Sequence, residues 1–504
     1  MPNCERMKRR ALELILFVAC CFANAENKLT PLPSGPQVDG PFRKVVLEAD
    51  RDVDADGKID DVLVDPMELA VARDGRVFYI ERAGTIKLWN PLSKCSAVVG
   101  KIQVSTGLED GLLGLALDPN FVQNGFIYLF NSEPQTRKDA QGKKVGTNRV
   151  SRFTVKNEHL EEDSEKVLLR IDTQREQCCH SGGSLAFDAQ GNLYASVGDN
   201  THPGESDGYS PLDEMPGRGP WNSQKSASNA NDLRGKILRI HPEADGTYTI
   251  PKGNLFPPGT PNTRPEIYVM GNRNPFRISI DAKTRFLYWG EVGPDAGGPR
   301  EGRGPAGFDE INQARAAGNF GWPYFAGDNK PYNQYDFATK QSGPIFDPAR
   351  PVNLSQYNTG PKELPPAQPA FIWYPYGPST KFPAVNAGGG RTAMAGPVYY
   401  FDPALKSAHK LPASFDHCLF IYEWSRNWII AVHLDKDERI AKKPEGGLWM
   451  EKFCPSMTFK RPIDMELGPD GCLYILENGT AWSGNKDSQL VRIEYDAVNT
   501  TAAR

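Results

Sequence analysis

No two cysteines in this sequence are spaced CxxC, no apolar run is long enough to cross a bilayer, and neither sign of charge dominates. Each absence removes a class of function. Without a CxxC pair there is neither a zinc-ribbon ligand set nor a c-type haem attachment. A membrane helix needs about 20 consecutive apolar residues, so no membrane span is expected. The net charge is −4, from 58 basic and 62 acidic residues, and no basic run is interleaved with aromatics. That argues against a nucleic-acid partner. Helical periodicity is missing between the apolar segments as well. What is abundant is Gly (48) and Pro (42), dispersed through 504 residues as a turn-rich β protein requires. Length alone suggests two or three domains, and closed all-β architectures are the usual exception.

The N-terminus reads as an export signal over 1–25. Lys8, Arg9 and Arg10 precede the apolar stretch 11–22, interrupted by Glu13, and Ala23-Asn24-Ala25 supplies the small residues of a cleavage site. A lipoprotein signal through Cys20 is disfavoured by Phe17 three positions before it. A periplasmic or secreted protein is therefore expected. Cys4, Cys20 and Cys21 leave with the signal, and six cysteines remain in a compartment where disulfides form. The neighbours Cys178 and Cys179 read as two buried thiols at least as well as a disulfide. Residues 26–66 form an N-terminal segment containing Asp52-Val53-Asp54-Ala55-Asp56-Gly57. Its alternating carboxylates and turn glycine are those of a calcium loop, but Leu63 stands where the bidentate glutamate belongs. The segment reads equally as a partial calcium loop and as an acidic turn.

A pattern recurs from residue 67 to 496: an apolar strand, a tight turn carrying Asp or Gly, then a second strand rich in Leu, Phe, Tyr and Val. The copies are MELAVARDGRVFYIE (67–81), LLGLALDPNFVQNGFIYLF (112–130), GSLAFDAQGNLYASVGD (183–199), FRISIDAKTRFLYWGE (276–291), the segment 395–424, and IDMELGPDGCLYILENG (463–479). Each has the turn chemistry of a hairpin. Six such units predict an all-β, six-bladed β-propeller rather than a sandwich, followed by a tail at 497–504. The Pro-, Gly- and Asn-rich inserts 200–232 and 324–370 are expected as long loops on the active-site face.

In a propeller the residues just before each innermost strand meet at one end of the central channel. Here those positions hold Asp65, Glu109-Asp110, Cys179-His180, Arg273-Asn274, Arg391 and Arg461. The loops after the second strands add Glu291-Val292-Gly293-Pro294 and Glu423-Trp424-Ser425-Arg426. Such a ring suits a small polyanion held by arginine forks, with a histidine placed as a base.

The strings GLLGLALDPNF (111–121), CHSGGSLAF (179–187), GNRNPFRISI (271–280) and DEINQARAAGNFGWP (309–323), in this order, closely resemble the soluble quinoprotein glucose/sorbosone dehydrogenases. The resemblance runs from about Met67 to Glu494. It implies oxidation of an aldose or related alcohol by hydride transfer to pyrroloquinoline quinone (PQQ), assisted by Ca2+. A small-molecule sugar or alcohol is then the substrate, and a separate cytochrome or quinone the external electron acceptor. It makes His180 the general base, Arg273 the group that stabilises charge on the quinone oxygen, and Asn274 a cofactor contact. The carbonyls of Gly293 and Pro294 hold the cofactor's calcium, and Asp309-Glu310 matches a carboxylate pair near a second, structural calcium. Arg426 and Arg461 fall where the family binds the cofactor carboxylates, Trp373 and Tyr374 where it places an aromatic over the quinone. Three positions depart from the family: Glu109 replaces a glutamine, Ser425 a lysine and Ile463 an arginine. Arg391 is placed to compensate for the lost cations. Two rivals are a non-catalytic propeller like hedgehog-interacting protein, binding a glycan or protein partner, and a calcium-dependent lactonase-type hydrolase.

Overall fold

Each expected hairpin forms where its apolar strand meets the polar turn. In the first, Leu69, Ala70 and Val71 pair with Tyr79, Phe78 and Val77. The ends are joined through Ala72–Arg76, where Gly75 donates to the Ala72 carbonyl at 2.9 Å. Gly75 adopts φ +87°, a conformation that side chains with a Cβ rarely reach. The computed structural model describes residues 37–496 apart from 54–55, 141 and 386–387. The expected signal peptide, residues 26–36 and the tail lie outside the described residues, as does part of the acidic loop.

Six blades, each with a core of four antiparallel strands and three of them extended by further short strands, are built on these hairpins. Their innermost strands are Pro66–Val71, Leu112–Leu117, Gly182–Phe187, Pro275–Ile280, Ala393–Tyr399 and Pro462–Leu467. Each touches the next and the sixth touches the first, so the ring is closed and the fold is the six-bladed propeller. All six carry a register shift against their second strand, a bulge that re-aims side chains near the channel. The second strands, such as Val77–Glu81 and Leu473–Glu477, are buried along their whole length because blades cover both faces.

The propeller begins earlier than residue 67. Phe42–Ala49 pairs with Gln489–Tyr495 as the fourth strand of the sixth blade, with Gln37–Asp39 at the edge, so N- and C-terminal chain segments share one sheet. Sequence alone hid this because the blade partner of Phe42–Ala49 stands at the other end of the chain. Lys44 locks the joint. It is buried, with its ammonium 2.8 Å from Glu477 and 2.8 Å from the Thr458 carbonyl.

At the axis, side chains from five blades and a backbone amide of blade two form one polar network. Glu68 of blade one accepts from the Leu115 amide of blade two (2.5 Å) and the Ser184 hydroxyl of blade three (2.5 Å). Arg277 of blade four donates to the Met67 carbonyl (2.5 Å) and the Ile463 carbonyl (3.0 Å), and lies 3.7 Å from Asp464 of blade six. Tyr422 of blade five donates to Asp464 at 3.4 Å. The channel is therefore closed below the cavity described next.

Among the described residues no helix is long and apolar enough to cross a membrane. In the described part of the acidic segment, Asp52 accepts from the amides of Asp56 (3.1 Å) and Gly57 (2.9 Å).

Candidate active site

A cavity of about 590 Å³ opens at the end of the ring where the loops before the inner strands meet. Asp65, Glu109, His180, Arg273 with Asn274, and Arg391 all line it, one position from each of the first five blades. A larger cavity of about 800 Å³ lies between the two inserts, and its only charged lining residues are Glu214 and Asp336. Neither a histidine nor an arginine borders it, so the chemistry belongs to the smaller one.

His180 is buried, and its Nδ1 lies 2.7 Å from Asp199 Oδ1. Burial alone would raise the Asp199 carboxyl, but His180, together with hydrogen bonds from Ser223 and Trp322, holds it below the usual carboxylate range. An ionised Asp199 accepts the Nδ1 proton, which leaves Nε2 as the basic nitrogen. Trp322 Nε1 donates to Asp199 Oδ2 at 2.8 Å, and the Ser223 hydroxyl donates to the same oxygen at 2.5 Å. The insert 200–232 thus supplies a support for the base. His180 itself sits at φ +64°, and Glu109 steadies that turn by accepting from the amides of His180 (2.6 Å) and Ser181 (3.3 Å). Glu109, expected as a charge near the cofactor, is therefore also a backbone clamp. Gly198 lies so close that a Cβ there would stand 2.2 Å from the His180 carbonyl oxygen. Cys178 and Cys179 are joined to each other by a disulfide, and Cys179 borders the cavity.

Arg273 is buried with Nη1 donating to the Val292 carbonyl at 2.8 Å, and Asn274 Oδ1 accepts from the Gly182 amide at 3.0 Å. Both backbone amides of this pair donate to Glu291 Oε1 at 2.6 Å. Burial and the neighbouring Glu310 push the Glu291 carboxyl far above its ordinary range. Glu81, Glu423 and Glu477 occupy the same place at the ends of their second strands, and Asp199 follows two residues after its own. Glu81, Glu291 and Glu423 accept from loop amides. In blade three the acid holds the histidine instead. Asp199 was not singled out from sequence, although extending the repeat by these residues would have found it.

Asp309 and Glu310 do not converge. They are adjacent on the strand Asp309–Ala314 and so face opposite sides. Asp309 accepts from the amides of Gly293 (3.1 Å) and Ala393 (2.9 Å). Glu310 accepts from the Gly327 amide (2.5 Å) and Asn312 Nδ2 (3.1 Å), and burial pushes its carboxyl up to about 7. It borders, with Glu291, Asn272 and Asn312, a closed void of about 10 Å³ that Gly293 and Pro294 also line.

Arg426 and Arg461 do not line the cavity. Arg426 caps the carbonyls of Gly390 (2.9 Å) and Pro375 (3.0 Å), and Arg461 lies 4.2 Å over the Trp424 ring with Nε on the Thr480 carbonyl. Aromatic faces and open carbonyls draw these guanidinium groups aside. Trp373 packs on Phe382 and Tyr374 is fully buried behind the wall. The aromatics that do border the cavity are Phe276, Tyr376, Trp424 and the exposed Trp482. No periodic signal marks Tyr376 or Trp482, which stand in irregular loops.

A family model described as Glucose / Sorbosone dehydrogenase matches residues 63–352, more than half of the chain. The chain belongs to the glucose/sorbosone dehydrogenase family. It is 26% identical over 325 residues to quinoprotein glucose dehydrogenase B of Acinetobacter calcoaceticus, covering 61% of this chain and 62% of that protein. It is 30% identical over 231 residues to hedgehog-interacting protein of Mus musculus, covering 43% and 30% respectively. In both cases the chain spans less than two thirds of the relative's length. Its fold matches the soluble aldose sugar dehydrogenase of Escherichia coli, with a TM-score of 0.56, 19% identity, and coverage of 90% and 99%. The glucose/sorbosone dehydrogenase match ends inside the second insert, and the propeller continues beyond it.

Proposed function

We propose that this protein is an exported quinoprotein dehydrogenase that oxidises an aldose sugar or related alcohol with PQQ. The observation that carries this reading is the buried His180–Asp199 pair on a cavity that Arg273 also lines. PQQ, when bound, supplies an electrophilic carbonyl carbon that takes the substrate hydride. His180 Nε2 takes the hydroxyl proton, and Asp199 stabilises the imidazolium that results. Arg273, held by the Val292 carbonyl, is a fixed positive charge for oxygen on which negative charge develops. Asn274 keeps its amide NH2 for the ligand while its oxygen holds Gly182. Electrons then leave to a separate acceptor, since no haem motif lies in the chain.

The residues fit an anionic quinone. Arg273, Arg391 and Arg82 border the cavity, and two of the Arg391 N–H groups are buried without a hydrogen-bond partner. Calcium fits one of its two expected positions. The void beside Glu310 presents two carboxyl groups and the unpartnered amide oxygens of Asn272 and Asn312, oxygen donors suited to a hard cation, with Arg273 also on its lining. The Pro294 carbonyl does not fit, because Arg391 already occupies it.

The turning aside of Arg426 and Arg461, with Ser425 and Ile463 lining the cavity in their stead, favours a second reading: a propeller that binds a glycan or protein partner without catalysis. Titration with PQQ followed by dye reduction across a panel of aldoses separates the two. Quinone-dependent turnover that His180→Ala abolishes, with folding and quinone affinity intact, supports the enzyme. Absence of quinone binding supports the binding propeller.

A further inference from the structure

We propose that Arg391 is the resident cation of the Gly293–Pro294 turn, holding the Pro294 carbonyl that would otherwise be open to a divalent ion, so that this cavity takes up its ligand without calcium at that position. The Arg391 side chain is 1% exposed. Its Nη2 donates to the Pro294 carbonyl at 2.6 Å, and its Nε lies 3.7 Å from Asp309 Oδ1. Tyr376 covers the guanidinium at 3.8 Å and is itself tied to Asp295 at 3.0 Å. Gly307 completes the fit: a Cβ there would stand 1.6 Å from the Pro294 oxygen and 3.1 Å from Arg391 Nη2.

Calcium binds oxygen at about 2.3–2.6 Å. A guanidinium nitrogen 2.6 Å from the same carbonyl occupies that shell with positive charge of its own, so ion and arginine exclude each other. Arg391 cannot lose its charge as a lysine could. Its Nε and Nη1 lack hydrogen-bond partners although buried, and buried donors of this kind call for an acceptor. Nε faces Asp309 and Tyr376 covers the group, so the side chain acts on a ligand in the cavity it borders through its charge. Arginine therefore contributes what the metal would: a fixed positive charge beside the ligand, anchored to Asp309.

The test counts calcium. Purified mature protein stripped with a chelator is titrated with calcium by calorimetry, as wild type, Arg391→Ala and Arg391→Lys. Calcium bound beside Glu310 is common to all three and cancels. Arg391→Ala, which frees the Pro294 carbonyl and Asp309, is expected to bind one more calcium per chain than the other two. If that variant lacks a cooperative unfolding transition, Arg391→Gln takes its place. Equal stoichiometry in all forms overturns the assignment. A second arm rests on the quinone reading: wild-type PQQ affinity is expected to change less than about twofold between chelator and excess calcium. Quinone binding that vanishes in chelator also overturns the assignment. If PQQ binds under no condition, the dehydrogenase reading fails, and the calcium counts alone decide the role of Arg391.

Discussion

At the scale of single residues, the base and its support make the sharpest prediction. Asp199 Oδ2 accepts from Trp322 and Ser223, so Asp199→Asn is expected to keep its oxygen on that side and turn its NH2 toward His180. The histidine must then accept at Nδ1 and carry its proton on Nε2, where a base is needed. Turnover with quinone is expected to fall about a hundredfold or more, while quinone affinity stays unchanged. The surviving rate should climb with pH, because the substrate hydroxyl must ionise unaided. A pH–rate profile parallel to the wild type would remove Asp199 from the positioning role. His180, Arg273 and Asn274 were legible in sequence because each stands at a fixed place in the repeat. The directions taken by Arg426 and Arg461 were not, since an arginine after a turn follows whichever ring or carbonyl lies nearest. Trp424 is brought to Arg461 by the fifth blade, and the Gly390 carbonyl reaches Arg426 from the loop before the inner strand of its own blade.

Strands impose the next level of constraint. Alternation along Asp309–Ala314 sends Asp309 to the Arg391 side and Glu310 into the void beside Glu291. That separation follows from strand geometry once the segment is known to be a strand, but DEINQA carries too little apolar pattern to show it. Glu310 has a consequence for stability. Its folded-state value of about 7 lies above the ordinary 4.5. Between those pH values the folded chain keeps a proton that the unfolded chain has lost. Stability of metal-free protein therefore falls as pH rises from 4.5 toward 7, then levels off. Glu310→Gln keeps an oxygen for the Gly327 amide and, with a flip of the Asn312 amide, whose Nδ2 now donates to Glu310, gives its new NH2 to Asn312 Oδ1. It is expected to remove the Glu310 share of that decline and to stabilise metal-free protein at neutral pH by on the order of 1–3 kcal/mol. Urea unfolding across pH, with chelator present, measures it. The same variant should lose the stabilisation that added calcium gives the wild type.

The whole molecule is closed twice, by the shared sixth blade and by the axial network. Six hairpins announced the propeller, because turn chemistry and apolar alternation are local. Closure was not announced: Phe42–Ala49 finds its partner more than four hundred residues away. The axial network did leave a trace, an acid or arginine inside otherwise apolar inner strands: Glu68 in MELAV, Arg277 in FRISI and Asp464 in IDMEL. Arg277 is the cation between two buried carboxylates. Burial pushes both Glu68 and Asp464 up, and the Arg277 charge opposes it. Arg277→Met fills similar space but leaves Asp464 without its counter-charge and frees the Met67 and Ile463 carbonyls. The expected cost is about 3–5 kcal/mol, measured as a lower denaturant midpoint. Lowering the pH should shrink the difference from wild type, because protonating Asp464 removes the uncompensated charge, while Glu68, pushed up to about 8, already holds its proton at neutral pH. Adding Glu68→Gln and Asp464→Asn to the variant should recover much of the loss at neutral pH. A penalty independent of pH would instead assign the role of Arg277 to its carbonyl hydrogen bonds, with the blades held by backbone contacts rather than by charge at the axis.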